Sequence, residues 1–140
     1  NIPVAERIKT AKIYREGSGW IMYFVLADKA DKEIAVKGKA EYRVIMMNKG
    51  FLFTEYVIAK EDLEPTDYVK ASIGLGNFAH QMLIHRLYME HEKFRHLTSR
   101  SGQAEEFDWE LRHWEGSLIL QITFTDELGR KLVAQEQFWL

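Results

Sequence analysis

Cysteine is absent from the 140 residues. That excludes disulfide bonds, thiolate zinc sites and a cysteine nucleophile together, while leaving either side of a membrane open as a location. Only two prolines and nine glycines are present, too few for a disordered or collagen-like chain. Neither sign of charge dominates. Nineteen Lys and Arg stand against 21 Asp and Glu, a formal charge of −2, so neither a phosphate-tracking surface nor a basic membrane patch is expected, and nucleic acid is not an expected partner. The longest uninterrupted apolar run, 20–27, falls far short of the roughly 20 residues that span a bilayer, so no transmembrane helix is expected. The opening Asn1-Ile2-Pro3 has no initiator Met and no charged-then-apolar leader, and a processed or trimmed start is the expectation.

What remains is 46% hydrophobic and 13% aromatic, enough to bury one core. A single domain over 1–140 follows. Residues 7–14 alternate loosely with a period of two and carry Arg7, Lys9 and Lys12, with Arg15 just beyond, which predicts an edge strand guarded by charge. After the turn Glu16-Gly17-Ser18-Gly19, the run 20–26 is apolar on both faces and rich in aromatic and β-branched residues, as a central strand covered on both sides would be. The polar stretch 28–32 reads as a hairpin connection into Ile34-Ala35-Val36, and Gly38 as a bulge or bend. Strands at 40–47, with Tyr42, Val44 and Met46 alternating, and at 51–59 complete a meander; the charged segment 60–65, ending in Pro65, reads as a turn.

The middle third changes character. From Asn77 to Phe94 there is neither Gly nor Pro, and Asn77 is a good N-cap, so a helix is the preferred reading. At about 100° per residue, Leu83, Leu87 and Phe94 form one apolar stripe and Phe78, Met82 and Met89 another. A strand over 82–89 is the alternative, because a short apolar run does not separate the two periods. Residues 99–103 read as a connector, followed by Glu105, Glu106, Asp108 and Glu110 around Phe107 and Trp109. The chain then returns to a hairpin, 118–124 and 131–139, with Gly129 supplying positive φ in its turn.

The two ends of the chain match at a constant offset of 98 residues. Trp20 falls on Leu118, Phe24 on Ile122, Asp28 on Asp126, Asp31 on Gly129 and Lys32 on Arg130, and each copy follows a Glu-Gly-Ser. Two equivalent hairpins built on Asp-initiated turns are expected.

The runs Leu26-Ala27-Asp28, Lys32 through Ala40, Val57 through Leu63 and Phe124 through Arg130 resemble a pattern in extracytoplasmic immunoglobulin-like domains of prokaryotic lipoproteins and surface proteins. The likeness covers about the first 63 residues and the last 25 and rests on turn chemistry. It implies an antiparallel β-sandwich serving as a spacer, adhesive or binding module, with no catalytic residues to carry over. The middle, 67–100, departs from it.

Several constellations could carry chemistry. Gly74-x-Gly76-x-x-Ala79 has dinucleotide-fingerprint spacing but lacks the strand–helix–strand context, and reads as a turn. Histidines at 80, 85, 91 and 96 with Glu90 and Glu92 offer metal donors; on a helix only His85 with His96, and His80 with His91, would share a face, with Glu92 four residues before His96. The candidate metal ligands are therefore His85, His96 and Glu92. No Gly-x-Ser-x-Gly elbow exists, and Ser99 and Ser101 have no defined base. The carboxylates of 105–110 could serve acid–base work but fit a solvated face. Trp20 and Trp139 are expected in the core, while Phe107, Trp109 and Trp114 are the candidates for stacking on a sugar or small ligand.

The reading is a mainly β chain, an immunoglobulin-like antiparallel sandwich with one helical insertion at about 66–100, α+β being the alternative. Its expected role is a non-catalytic interaction or structural module outside the cytoplasm, secreted, periplasmic or lipid-anchored, with a protein or cell-surface partner and no cofactor. A carbohydrate or small-ligand module, and a metal protein or enzyme through the 80–96 region, are the rivals.

Overall fold

Two antiparallel sheets pack face to face in the computed structural model, which describes residues 2–47, 53–93 and 117–139. The strands are β1 (Arg7–Glu16), β2 (Gly19–Ala27), β3 (Glu33–Ile34), β4 (Gly38–Met47), β5 (Phe53–Leu63), β6 (Val69–Ile73), β7 (His80–Glu90), β8 (Ser117–Asp126) and β9 (Lys131–Trp139). One sheet has the order β1-β2-β7-β6, with β3 on the end of β2; the other has β5-β4-β8-β9. Among the described residues, no helix is long and apolar enough to cross a membrane.

The run that is apolar on both faces becomes the centre of its sheet, and every residue of β2 is buried. Its inward residues Trp20, Met22, Phe24 and Leu26 meet Ala40, Tyr42 and Val44 of β4 and Leu118, Leu120, Ile122 and Phe124 of β8 in the main core. Its other face, Ile21, Tyr23 and Val25, joins Met82 and Ile84 of β7 in a second cluster, with Ala71 and Ile73 beside it. In β4 the alternation places Lys39, Glu41 and Arg43 opposite to the buried Ala40, Tyr42 and Val44. Gly38 opens this strand with the Phe124 ring pressed against its Cα, where a Cβ would stand 2.5 Å from the ring. The bulge lies further on, where the register slips between Tyr42 and Arg43 opposite Val57 and Ala59.

The repeated hairpin turns are closed by the same bonds at the offset of 98. The Asp28 amide donates to the Lys32 carbonyl at 2.9 Å and the Asp31 amide to the Asp28 carbonyl at 3.0 Å; Asp126, Arg130 and Gly129 repeat both at 3.0 Å. In each, an Asp carboxylate oxygen accepts two backbone amides at 2.9 Å, from Ala30 and Lys32 or from Leu128 and Arg130. The left-handed position is Gly129 in one turn, at φ 83°, and Asp31 in the other, at φ 66°. Asp31 is held there by ion pairs with Arg7 and Lys9.

Three expectations are corrected. The helical insertion does not form in the described part of 66–100: residues 80–90 are β7, paired to β2 from Gly19↔Glu90 to Phe24↔His85 and to β6 from Val69↔Ile84 to Ile73↔His80. The apparent helical stripes dissolve in the strand: Leu83, Leu87 and Met89 face inward with His85, and Met82 lies with Ile84 in the second cluster. Tertiary demand decides the period, since β2 has an unpaired side that only an extended segment can fill. Second, 60–63 is strand: β5 continues to Leu63, 3% exposed, and the chain turns at the 3-10 turn Pro65–Asp67, where the Asp67 carboxylate accepts the Glu64 amide at 2.7 Å. Third, Trp20 is in the core as expected, but Trp139 is 57% exposed.

β1 ends its sheet, as an edge strand should. Its lysines do more than guard it. Lys12 bonds Glu136 of β9 at 3.1 Å, tying the terminal strands of the two sheets together, and Lys9 lies 3.7 and 3.8 Å from Asp31 and Glu33.

Candidate functional site

His85, one of the expected metal ligands, projects from β7 into the core at 7% exposure. Its Nδ1 lies 2.7 Å from the Tyr42 hydroxyl, and the Phe24, Tyr42 and Tyr68 rings surround it at 5.4 to 6.3 Å between centroids. Burial pushes the Tyr42 phenol well above its ordinary value, so the hydroxyl keeps its proton and shares a hydrogen bond with the ring nitrogen. Burial also pushes the imidazole below its ordinary value, against a smaller upward pull from Asp67. The Tyr68 hydroxyl donates to the Val36 carbonyl at 2.6 Å. These atoms hold the connection between the sheets together and keep a neutral imidazole inside.

A pH dependence follows. Because the folded chain binds the His85 proton less tightly than the unfolded chain, unfolding takes up a proton once the pH falls below about 6.5. His85 therefore costs nothing above that value and lowers stability as pH drops from there toward the folded pKa. Denaturation midpoints between pH 8 and about 4.5 should decline for the parent and decline less for His85→Gln; parallel curves would refute the assignment.

Among the described residues, no other expected ligand joins His85. Glu92 lies in the helical turn 91–93 beyond the end of β7, and His96 lies outside the described residues. His80 and His91, expected on one helical face, stand at opposite ends of β7, roughly 35 Å of extended chain apart. His80 is exposed; His91 Nδ1 accepts the Trp20 Nε1–H at 3.0 Å and meets the Arg15 guanidinium at 2.9 Å. Among the described residues, no three His, Cys, Asp or Glu side chains group as a metal site. The glycine-rich Gly74-x-Gly76 forms a tight turn with φ of 108° and 55° at its glycines. Phe107, Trp109 and Trp114, the carboxylates of 105–110, and Ser99 and Ser101 also lie outside the described residues.

The outer face of the second sheet carries an open groove of about 360 Å³ lined by Lys39, Glu41, Lys60, Asp62, Thr123, Thr125 and Lys131 among others. The register sets Lys39 between Asp62 and Thr125, with Lys131 beyond. Glu41 is spoken for by Arg43, which also pairs with Glu55. Exposed Trp139 ends the same sheet at its opposite end, beside Ser117.

The feature that residue-type reasoning missed is the connection between β6 and β7. Leu75 and Phe78 are 86% and 87% exposed there. A signal was present: no Asp, Glu, Lys or Arg occurs from Ala71 to His85, in a chain that is 29% charged.

Comparison with known proteins finds no family model, no curated protein and no solved structure that matches this chain.

Proposed function

We propose that the chain is an immunoglobulin-like interaction module working outside the cytoplasm, without catalysis of its own. The strand order supports the immunoglobulin-like part of this reading. β1-β2-β7-β6 against β5-β4-β8-β9 corresponds to A-B-E-D against C′-C-F-G in an immunoglobulin-like sandwich. Where many such domains join strands B and F by a disulfide covered by a strand-C tryptophan, this cysteine-free chain sets Phe24 of β2 against Phe124 of β8, centroids 6.2 Å apart, with Tyr42 of β4 at 6.0 Å from Phe24. An apolar contact of this kind is indifferent to redox conditions. Polar side chains at the ends of the strands serve the backbone, as Asp28, Asp126, Asp67 and Tyr68 do, which supports a scaffold role.

Brief protease treatment of intact cells of the source, followed by fractionation, tests the placement. Cleavage of the chain by protease added outside, or its release with the periplasmic fraction, is the expected result; recovery intact in the cytosol alone would refute it. A second reading, a carbohydrate or small-ligand module, draws on Trp139 and the groove on the second sheet. Glycan-array binding that is lost in Trp139→Ala would favour it over a protein partner.

A further inference from the structure

Among the described residues, four large apolar side chains are exposed by 80% or more: Ile2, Leu75, Phe78 and Leu128. All four belong to segments at one end of the sandwich. β2, β6 and β8 finish at that end, where the Asp28 and Asp126 turns lie; β1 begins there, with the Glu6 amide bonded to the Ala27 carbonyl at 2.9 Å. The remaining exposed large apolar side chains reach at most 57%.

The β6–β7 connection is shaped for this exposure. Its glycines take left-handed φ, and the Phe78 amide donates to the Leu75 carbonyl at 3.0 Å and the Ala79 amide to Gly76 at 3.2 Å. The loop thus pairs two of its donors internally while holding two bulky side chains outward, and 71–85 offers no formal charge to desolvate. Both features lower the cost of entering an interfacial layer, where the other amides still meet water. On the two Asp turns, the acids are engaged: Asp28 by backbone amides, Asp31 by Arg7 and Lys9, Asp126 by Arg130, Glu127 by Lys37. Lys29 and Lys32, both on the Asp28 turn, have no ion-pair partner among the described residues. The recess at this end, about 380 Å³, is lined by Glu6, Arg7, Asp28, Lys29 and Asp31, all charged, and gives no socket for the apolar tip of a second copy.

We infer that this end docks on a lipid bilayer surface containing anionic headgroups, with Leu75 and Phe78 entering the interface and Lys29 and Lys32 facing the headgroups. The inference stands apart from the proposed extracytoplasmic role, since lipid surfaces face both compartments. Sedimentation of the full chain with phosphatidylcholine vesicles, with and without phosphatidylglycerol, tests it. The parent should bind, more tightly with phosphatidylglycerol. Leu75→Ser with Phe78→Ser should weaken binding about ten-fold or more at an unchanged melting temperature, and Lys29→Gln with Lys32→Gln should remove only the preference for phosphatidylglycerol. Absence of vesicle binding, equal binding by the Leu75/Phe78 variant, or a concentration-dependent dimer abolished by that variant without any vesicle binding would overturn the inference.

Discussion

Replacing Phe24 with alanine is expected to destabilise the fold by about 3–5 kcal/mol, a large share of the roughly 5–15 kcal/mol that holds a domain of ordinary size together. Phe24 is fully buried on the central strand of one sheet. Its ring centroid lies 5.4 to 6.3 Å from those of His85, Tyr68, Tyr42 and Phe124, so one side chain touches β7, the β5–β6 connection, β4 and β8. Deleting it removes the transfer energy of the ring and leaves a void walled in part by β4 and β8, each fixed by ladders on both sides, which limits collapse. The same change also leaves the Tyr42–His85 bond beside an empty space that water can enter. Urea denaturation decides the matter, with Leu75→Ser as the surface control at within about 0.5 kcal/mol. A loss below about 1 kcal/mol for Phe24→Ala would mean that the two sheets do not meet through this ring.

Much of this architecture was legible because local chemistry and tertiary placement agree. The run 20–26 is apolar at both parities and is buried at both; Asp28 and Asp126 each precede a position suited to positive φ, and both close the same turn. Where the expectation failed, a local signal was ambiguous or set aside. Residue type alone places Trp139 inward, yet Lys131, Gln135 and Gln137 share its parity on β9, and Phe138 takes the inward place at 5% exposure. The charges of 60–65 suggest a turn, although Leu63 anchors the strand to its end. The Tyr42–His85 bond joins residues 43 apart in sequence and depends on how the two sheets face each other, which no local pattern encodes. The apolar tip was legible in principle as a charge-free stretch of the chain, but Leu75 and Phe78 belong to no catalytic or metal-binding residue type.

The 80–90 segment yields the second large effect and a sharp contrast between neighbours. Leu87→Pro should unfold the domain or leave it severely destabilised, while Arg86→Pro should be far milder. In an extended strand, amides of alternate residues point to the same side. The Leu83 amide reaches Glu33 of β3, on the β2 side, at 2.8 Å, and the His91 amide reaches the Ser18 carbonyl just before β2 at 3.0 Å. The odd-numbered amides of β7 therefore face β2, and Leu87 stands opposite the fully buried Met22. Proline at 87 removes a ladder donor, leaves its acceptor in the core unpaired at about 1–3 kcal/mol, and withdraws the leucine side chain from the inner face, with ring atoms intruding toward β2. Arg86 points its amide the other way, where pairing with β6 has already ended at Val69↔Ile84, and its side chain is exposed. A helix over the same residues would make both substitutions severe, since each would delete one i→i−4 bond and clash with the preceding turn. Thermal melts of both variants therefore read the local structure directly: a wide gap between them is the signature of the strand, and equal loss would return this segment to the helical reading.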